Sequence, residues 1–439
     1  MIHEFPLLRS LDPHHARLGY LGALSAVAVR NLDTYDAIVA RFSDLLFERY
    51  YVDEPRYAEA MRHVDEVFVK ELTQRAERDA EENPAAILAP MDSKSGWLTR
   101  SEFWLYDRRL PSHVGYLMER HAGRTVDLAR WMGILLPTLD LSETGFLLQY
   151  LLTGGGGHDP AELNCLVVQS RPALTLLYMK LLFSSEILFP SLISELVERV
   201  ESHRRVATRG ADGLLRASVA RLMGALGEPT DPEDVLAFRE VSEFNTAVLK
   251  SPSTEENYLR PRLEMLVDVG VLERRSGAVP ERAGAFPWDV SDRTAILARA
   301  LAPLAANPRS LDTFLDEDFV ATCAPAIGLQ VRKARMPEEM LIWFARAYAL
   351  VHREIGFTPG RTVAELASLL AAEQGVRLEM KELFSLVSIV PSGQYAKYFQ
   401  FSGGSRFDLE FMIKVSPDLL PLLEEASRLD NHASRGSAQ

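Results

Sequence analysis

Apolar residues recur at helical spacing along most of the chain. Leu18, Leu21, Ala28 and Val29 open an apolar stretch, and Ile38, Phe42, Leu45 and Leu46 follow at spacings of 3 and 4. Tyr57 to Asp79 predicts an amphipathic helix with Val64, Val67, Phe68 and Leu72 on one side and a charged face in solvent. Asn83-Pro84 stops it. His113 to His121 and Thr125 to Gly133 read as two short helices, Ile134 to Leu141 as a strand, and Phe146 to Leu152 as a helix. Pro160 to Val200 is strongly helical. Its most apolar part, Leu174 to Leu196, carries Lys180, Glu186 and Glu195, so it predicts a buried helix pair broken at Pro190, not a membrane span.

The middle of the chain has a sharper grammar. After a helix from Leu214 to Leu226, Val235 to Lys250 predicts a helix with Leu236, Val241, Phe244 and Val248 inward. Ser253 and Glu256 stand at capping-box spacing before a helix that runs to Asp268. Gly270 ends that helix. Val271 starts a strand, residues 274–284 form a wing tip, Ala285 to Val290 returns, and Ser291 caps a last helix. The C-terminal part repeats the idea. Thr362 and Glu365 have capping-box spacing, Gly375 ends that helix, and Met380 to Val390 forms the next. Tyr395, Tyr398, Phe399, Phe401, Phe407 and Phe411 then favour strands, with Ser402-Gly403-Gly404-Ser405 as the hairpin turn.

Two motifs carry a family resemblance. "Leu-x-x-Leu-Val-x-x-Gly-Val-Leu-Glu", from Leu263 to Glu273, resembles the recognition helix and first wing strand of winged-helix regulators. "Leu-Ser-Glu-Thr-Gly", from Leu141 to Gly145, resembles the step from a wing strand into the final helix of the same family. The resemblance implies a mainly α protein: a multi-helix body with two or three winged-helix-like modules and small β-hairpins. The expected order is an N-terminal helical region (1–90), a winged-helix-like module (97–153), a helical core region (158–230) and a second module (231–306). A helical connector (307–357), a C-terminal α+β module (358–425) and a disordered tail (430–439) complete it.

Composition narrows the function. The chain has 439 residues, 47% hydrophobic and 25% charged, which is ordinary globular usage. Lys plus Arg is 48 against 61 for Asp plus Glu, a formal charge of −13, so any contact with a polyanion must use a local patch. Two cysteines, Cys165 and Cys323, exclude a disulfide framework and fit buried thiols in a reducing, cytoplasmic setting. The start, Met-Ile-His-Glu-Phe-Pro, has no secretory pattern.

Positive charge gathers in two places. The loop with Arg204, Arg205 and Arg209, continued by Arg216 and Arg221, is a candidate phosphate clamp, or else a solvated loop paired with Glu198 and Glu201. The second module offers Arg260 and Arg262 on its reading helix and Arg274, Arg275 and Arg282 on its wing. That helix also shows Glu255, Glu256, Glu264 and Asp268, so protein contact competes with DNA contact. Arg332, Lys333 and Arg335 form a weaker cluster.

No catalytic or cofactor motif stands out. Gly154 to Gly157 lacks the following Lys and Ser/Thr of a phosphate loop and reads as a linker. Asp12, His14 and His15 lack further ligands, and His113 and His121 suit a structural role. Asp316-Glu317-Asp318 reads as the acidic start of a helix. No metal or cofactor is therefore expected. The sequence predicts a non-enzymatic DNA-binding or scaffold subunit of a bacterial DNA-processing assembly, for genome maintenance or anti-phage defence, with DNA and protein partners. Two alternatives stay open. One is a dimeric winged-helix transcriptional regulator. The other is a metal-dependent nuclease built on Asp408, Glu410 and Lys414 or on Glu379 and Lys381.

Overall fold

The computed structural model describes residues 18–28, 34–47, 122–153, 168–203, 213–227, 232–249, 251–274, 288–352, 357–389, 395–402 and 411–426. The chain forms two compact units. The first is 1–153, 157–169 and 181–309; the second is 154–156, 170–180 and 310–439. Both are mainly helical with small sheets.

The first unit begins with α1 (Leu18–Val27) and α2 (Tyr35–Phe47). α1 is apolar all round and correspondingly buried. Residues 122–131 are helical. Residues 134–141, expected as a strand, form a tight turn closed by one isolated bridge between Leu135 and Leu141. Pro137 supplies no N–H for a ladder, and Leu139 has φ +70°, so the chain turns back too soon to extend. Ser142 then caps α3 (Glu143–Thr153), accepting from the Gly145 N–H at 3.0 Å.

α4 (Pro172–Ser185) and α5 (Phe189–His203) are the expected helix pair. The break lies at residues 186–188, and Pro190 sits in the first turn of α5, where no intrahelical N–H is needed. Among the described residues, no single helix is long and apolar enough to cross a membrane. α6 (Leu214–Leu226), α7 (Pro232–Glu243) with a π-helical turn Phe244–Val248, and α8 (Pro252–Asp268) follow. The α8 cap is Ser251, which accepts from Thr254 N–H, and not Ser253: Pro252 fills the first helical position, fixing the start two residues earlier. β1 (Leu272–Arg274) pairs antiparallel with β2 (Trp288–Val290), and α9 (Asp292–Ala306) starts on a Ser291–Thr294 capping box. α5 packs on α6 and α9, and α8 on α6 and β1.

The second unit enters through a turn at Leu311–Thr313, a π-helical turn Phe314–Asp318 and α10 (Phe319–Ala326). β3 (Arg332–Lys333), α11 (Pro337–Val351), β4 (Thr358–Pro359), α12 (Gly360–Glu373), β5 (Val376–Arg377), α13 (Met380–Ile389), β6 (Phe399–Ser402) and β7 (Met412–Val415) follow, and 419–426 are helical. β3 and β5 pair in parallel. β4, β7 and β6 form an antiparallel sheet in that order, with Phe399 opposite Val415 and Thr358 opposite Ile413. The expected hairpin around 402–405 therefore has its two strands. Thr362 is not a cap: α12 starts at Gly360, and Thr362 is buried inside it.

Gly360 fixes how α12 leaves β4. Its N–H donates to the Phe411 carbonyl at 2.8 Å, and a Cβ there would lie 2.1 Å from the Phe411 ring. Phe411 is buried and meets Phe384 of α13 at 6.0 Å and Phe401 of β6 at 5.7 Å between ring centroids. This aromatic knot holds the sheet against α12 and α13.

Candidate functional site

The reading helix expected in the second module is α8, and it is a core helix. Leu259, Pro261, Arg262, Leu263, Glu264, Met265 and Leu266 are all buried. Glu255, expected in solvent, is 3% exposed and pairs with Arg216 at 3.3 Å. Arg262, expected to face DNA, is fully buried. Its Nη2 meets Glu186 at 3.0 Å, its Nη1 donates to the Tyr258 carbonyl at 2.6 Å, and its guanidinium lies 5.5 Å from the Phe244 ring centre. Asp268 accepts from the Leu18 N–H at 3.0 Å. A fully buried side chain paired inside the protein cannot reach a groove, so Arg262 is corrected to a structural residue.

The other candidates divide. Arg260 lies on α8, and Arg274 ends β1. Arg204, Arg205, Arg209, Arg275 and Arg282 lie outside the described residues, as do Asp12, His14, His15, Tyr57 to Asp79, His113, His121, Gly154 to Gly157, Cys165, Asp408, Glu410 and the tail. Arg221, in the same expected patch, pairs with Glu195 at 2.8 Å and Glu198 at 2.6 Å. Its charge is therefore met within the protein.

The Arg332-Lys333-Arg335 cluster is also neutralised. Arg332 pairs with Glu339 at 2.5 Å, and Lys333 with Glu379 at 3.1 Å and Glu382 at 2.5 Å. These pairs hold Glu339 and Glu379 below the usual carboxylate range. Glu379 and Lys381 do not share a site: Glu379 faces Lys333 and Arg377, whereas Lys381 faces Glu317 at 3.3 Å. Among the described residues, no group of three or more His, Cys, Asp or Glu side chains is placed to hold a metal. Cys323 is buried, and burial pushes its thiol well above the ordinary range.

The richest polar arrangement lies in the second unit, at the N-terminal ends of α12 and α13. Asp316 accepts from Arg361 at 3.0 Å, and the next residue, Glu317, meets Lys381 at 3.3 Å. Arg361 also reaches Glu365 at 3.3 Å, and Glu365 takes Lys180 at 3.0 Å. Burial pushes the Asp316 carboxyl up, more than Arg361 and Lys180 pull it down. For Glu365, burial pushes up as well, but the facing Lys180 and Arg361 outweigh it and hold the group low. The gap among these side chains is about 20 Å³, lined by Leu177, Lys180, Asp316, Glu365, Ser368 and Met380 among others. That is room for one water, too small for a metabolite. The acidic run was legible as a sequence feature, but it forms a π-helical turn instead of a helix start. Arg361 gave no local signal, because its partner lies 45 positions away.

Comparisons with protein-family models, with curated proteins and with solved structures returned no match.

Proposed function

We propose that this chain is a non-enzymatic subunit of a multi-protein DNA-processing assembly, acting chiefly as a scaffold, with its C-terminal unit as a winged-helix-like contact module. One observation carries the reading: the connectivity α11, β4, α12, β5, α13, β6, β7, in which β5 pairs with β3 outside the sheet of order β4-β7-β6. In it, two consecutive helices sit beside a hairpin, and a short strand before the first helix closes the sheet. This arrangement supports the C-terminal α+β winged-helix-like module expected from the sequence. α13 then takes the place of the reading helix and the β6–β7 hairpin that of the wing.

The scaffold emphasis follows from charge. Phosphate contact needs cations that are free to face the backbone. Around α12 and α13, Lys333, Arg361, Arg377 and Lys381 are each held by carboxylates. In the 231–306 stretch, Arg262 of α8 is buried on Glu186 and is not free for such contact.

Fluorescence anisotropy of the full chain with labelled duplex and single-stranded DNA, titrated from low to physiological salt, tests the reading. Weak binding with a shallow salt slope is the expected result. Tight binding with a steep slope would replace the scaffold role by a primary DNA-binding one. Cleavage of the probe with Mg²⁺ would make the chain an enzyme.

A further inference from the structure

Asp316 and Glu317 are neighbours in sequence, and each engages the cation at the second position of a different helix: Arg361 of α12 and Lys381 of α13. Two negative groups, one residue apart, thus meet the leading cations of the two helices. In a helix-turn-helix pair the first helix crosses the DNA backbone, and the second enters the groove by its N-terminal residues. We propose that the π-helical turn Phe314–Asp318 is an autoinhibitory contact, in which Asp316 and Glu317 occupy the places of two DNA phosphates on Arg361 and Lys381. This rests on the winged-helix-like reading of the second unit.

The turn is anchored, yet its ion pairs are open to competition. Phe314 and Phe319 flank it, buried and edge-to-face at 6.1 Å. Arg361 remains 45% exposed and Lys381 76%, so both can change partner without leaving a core. The Glu317–Lys381 pair is exposed enough to contribute little, so an incoming polyanion displaces it at small cost, whereas Asp316, 25% exposed, holds Arg361 more firmly. The turn therefore sets a threshold: the resting chain has weak affinity for duplex DNA, and removal of the carboxylates raises it.

The test uses the full chain and a labelled duplex, with anisotropy read at several salt concentrations. Glu317→Gln, at a partly exposed position, keeps the fold. Asp316→Asn with Glu317→Gln removes both negative groups of the turn and leaves only Glu365 of α12 on Arg361. The expected increases in affinity are about threefold for the single change and about tenfold for the double. The salt slope of the double variant steepens by about two, one for each phosphate that Arg361 and Lys381 then engage. Adding Lys381→Ala to Glu317→Gln cancels the increase. Glu425→Gln, at an exposed position on the helix 419–426, controls for net charge. The autoinhibitory role is overturned if the variants bind no more tightly than the parent while the parent binds measurably, or if Glu425→Gln gives an equal increase; the winged-helix-like reading survives either result. If no variant binds duplex even at low salt, DNA binding by the unit fails, and the inference with it.

Discussion

Arg262 and Glu186 meet inside the first unit with both side chains fully buried, Nη2 of the arginine 3.0 Å from the carboxylate, although 76 positions separate them. Glu186 sits at the break between α4 and α5, and Arg262 lies in the middle of α8. The pair therefore ties a helix corner to the central helix. Removing one partner leaves the other as a buried charge. Arg262→Met or Glu186→Leu alone should destabilise the chain by about 3–5 kcal/mol, and the double substitution should recover most of that loss. Urea unfolding of the three variants checks it. Two cheap single changes would show that water reaches the pair and that it does not fix the corner.

The same pair explains what the sequence hides. The bounds of α8 are readable, because Ser251, Pro252 and Gly270 punctuate it locally. Its burial is not, because polar residues at 255, 262 and 264 resemble a solvent face. Their partners, Arg216 for Glu255 and Glu186 for Arg262, come from distant parts of the chain. β6 was legible from Phe399 and Phe401, whereas the third strand of that sheet, β4, is only Thr358–Pro359 and carries no periodic signal. Ile134 to Leu141 misled for the opposite reason: it has β-forming residues, but Pro137 and the positive φ of Leu139 decide the backbone. The acidic run at 316–318 stood out, while the cations that meet it did not.

The start of α3 gives a graded test. Ser142 accepts from the Gly145 N–H, so Ser142→Ala should cost about 1 kcal/mol through loss of the cap. Gly145→Ala should cost more, about 1–3 kcal/mol, since its Cβ would lie 2.2 Å from the Ile134 carbonyl oxygen, and backbone cannot swing aside as a side chain can. Thermal unfolding followed by circular dichroism ranks the two. The reverse order would mean that the 134–145 turn yields easily.

Gly360 poses a different steric problem. The Cβ of Gly360→Ala would press on the Phe411 ring at 2.1 Å, and the ring is itself held by Phe384 and Phe401. The expected loss is about 1–3 kcal/mol. Phe411→Leu alone should also destabilise, by removing ring contacts. Combined, the two losses should add to less than their sum, because the smaller side chain makes room for the new methyl. Strict additivity in a double-mutant cycle would contradict the close approach of β4 to Phe411.

The acid response of the second unit follows from two carboxylates moved in opposite directions. Glu365 is held below its ordinary 4.5, so its stabilising contribution is present above that value and is lost as pH falls through its folded pKa. Asp316 is raised above its ordinary 3.8, so its contribution is present below that value and is lost as pH rises through its folded pKa. Glu339 and Glu379, both lowered, act in the same sense as Glu365. The parent should therefore lose stability on acidification below about pH 4.5. Glu365→Gln should be less stable near pH 7 and should lose less between about pH 5 and pH 3. Asp316→Asn should show a steeper loss on acidification than the parent, because the opposing carboxyl is gone. Urea unfolding at about pH 7, 5 and 3 separates the three profiles. Parallel profiles would mean that neither carboxyl changes its proton affinity on folding, and that the Lys180–Glu365–Arg361–Asp316 chain of ion pairs does not persist in solution.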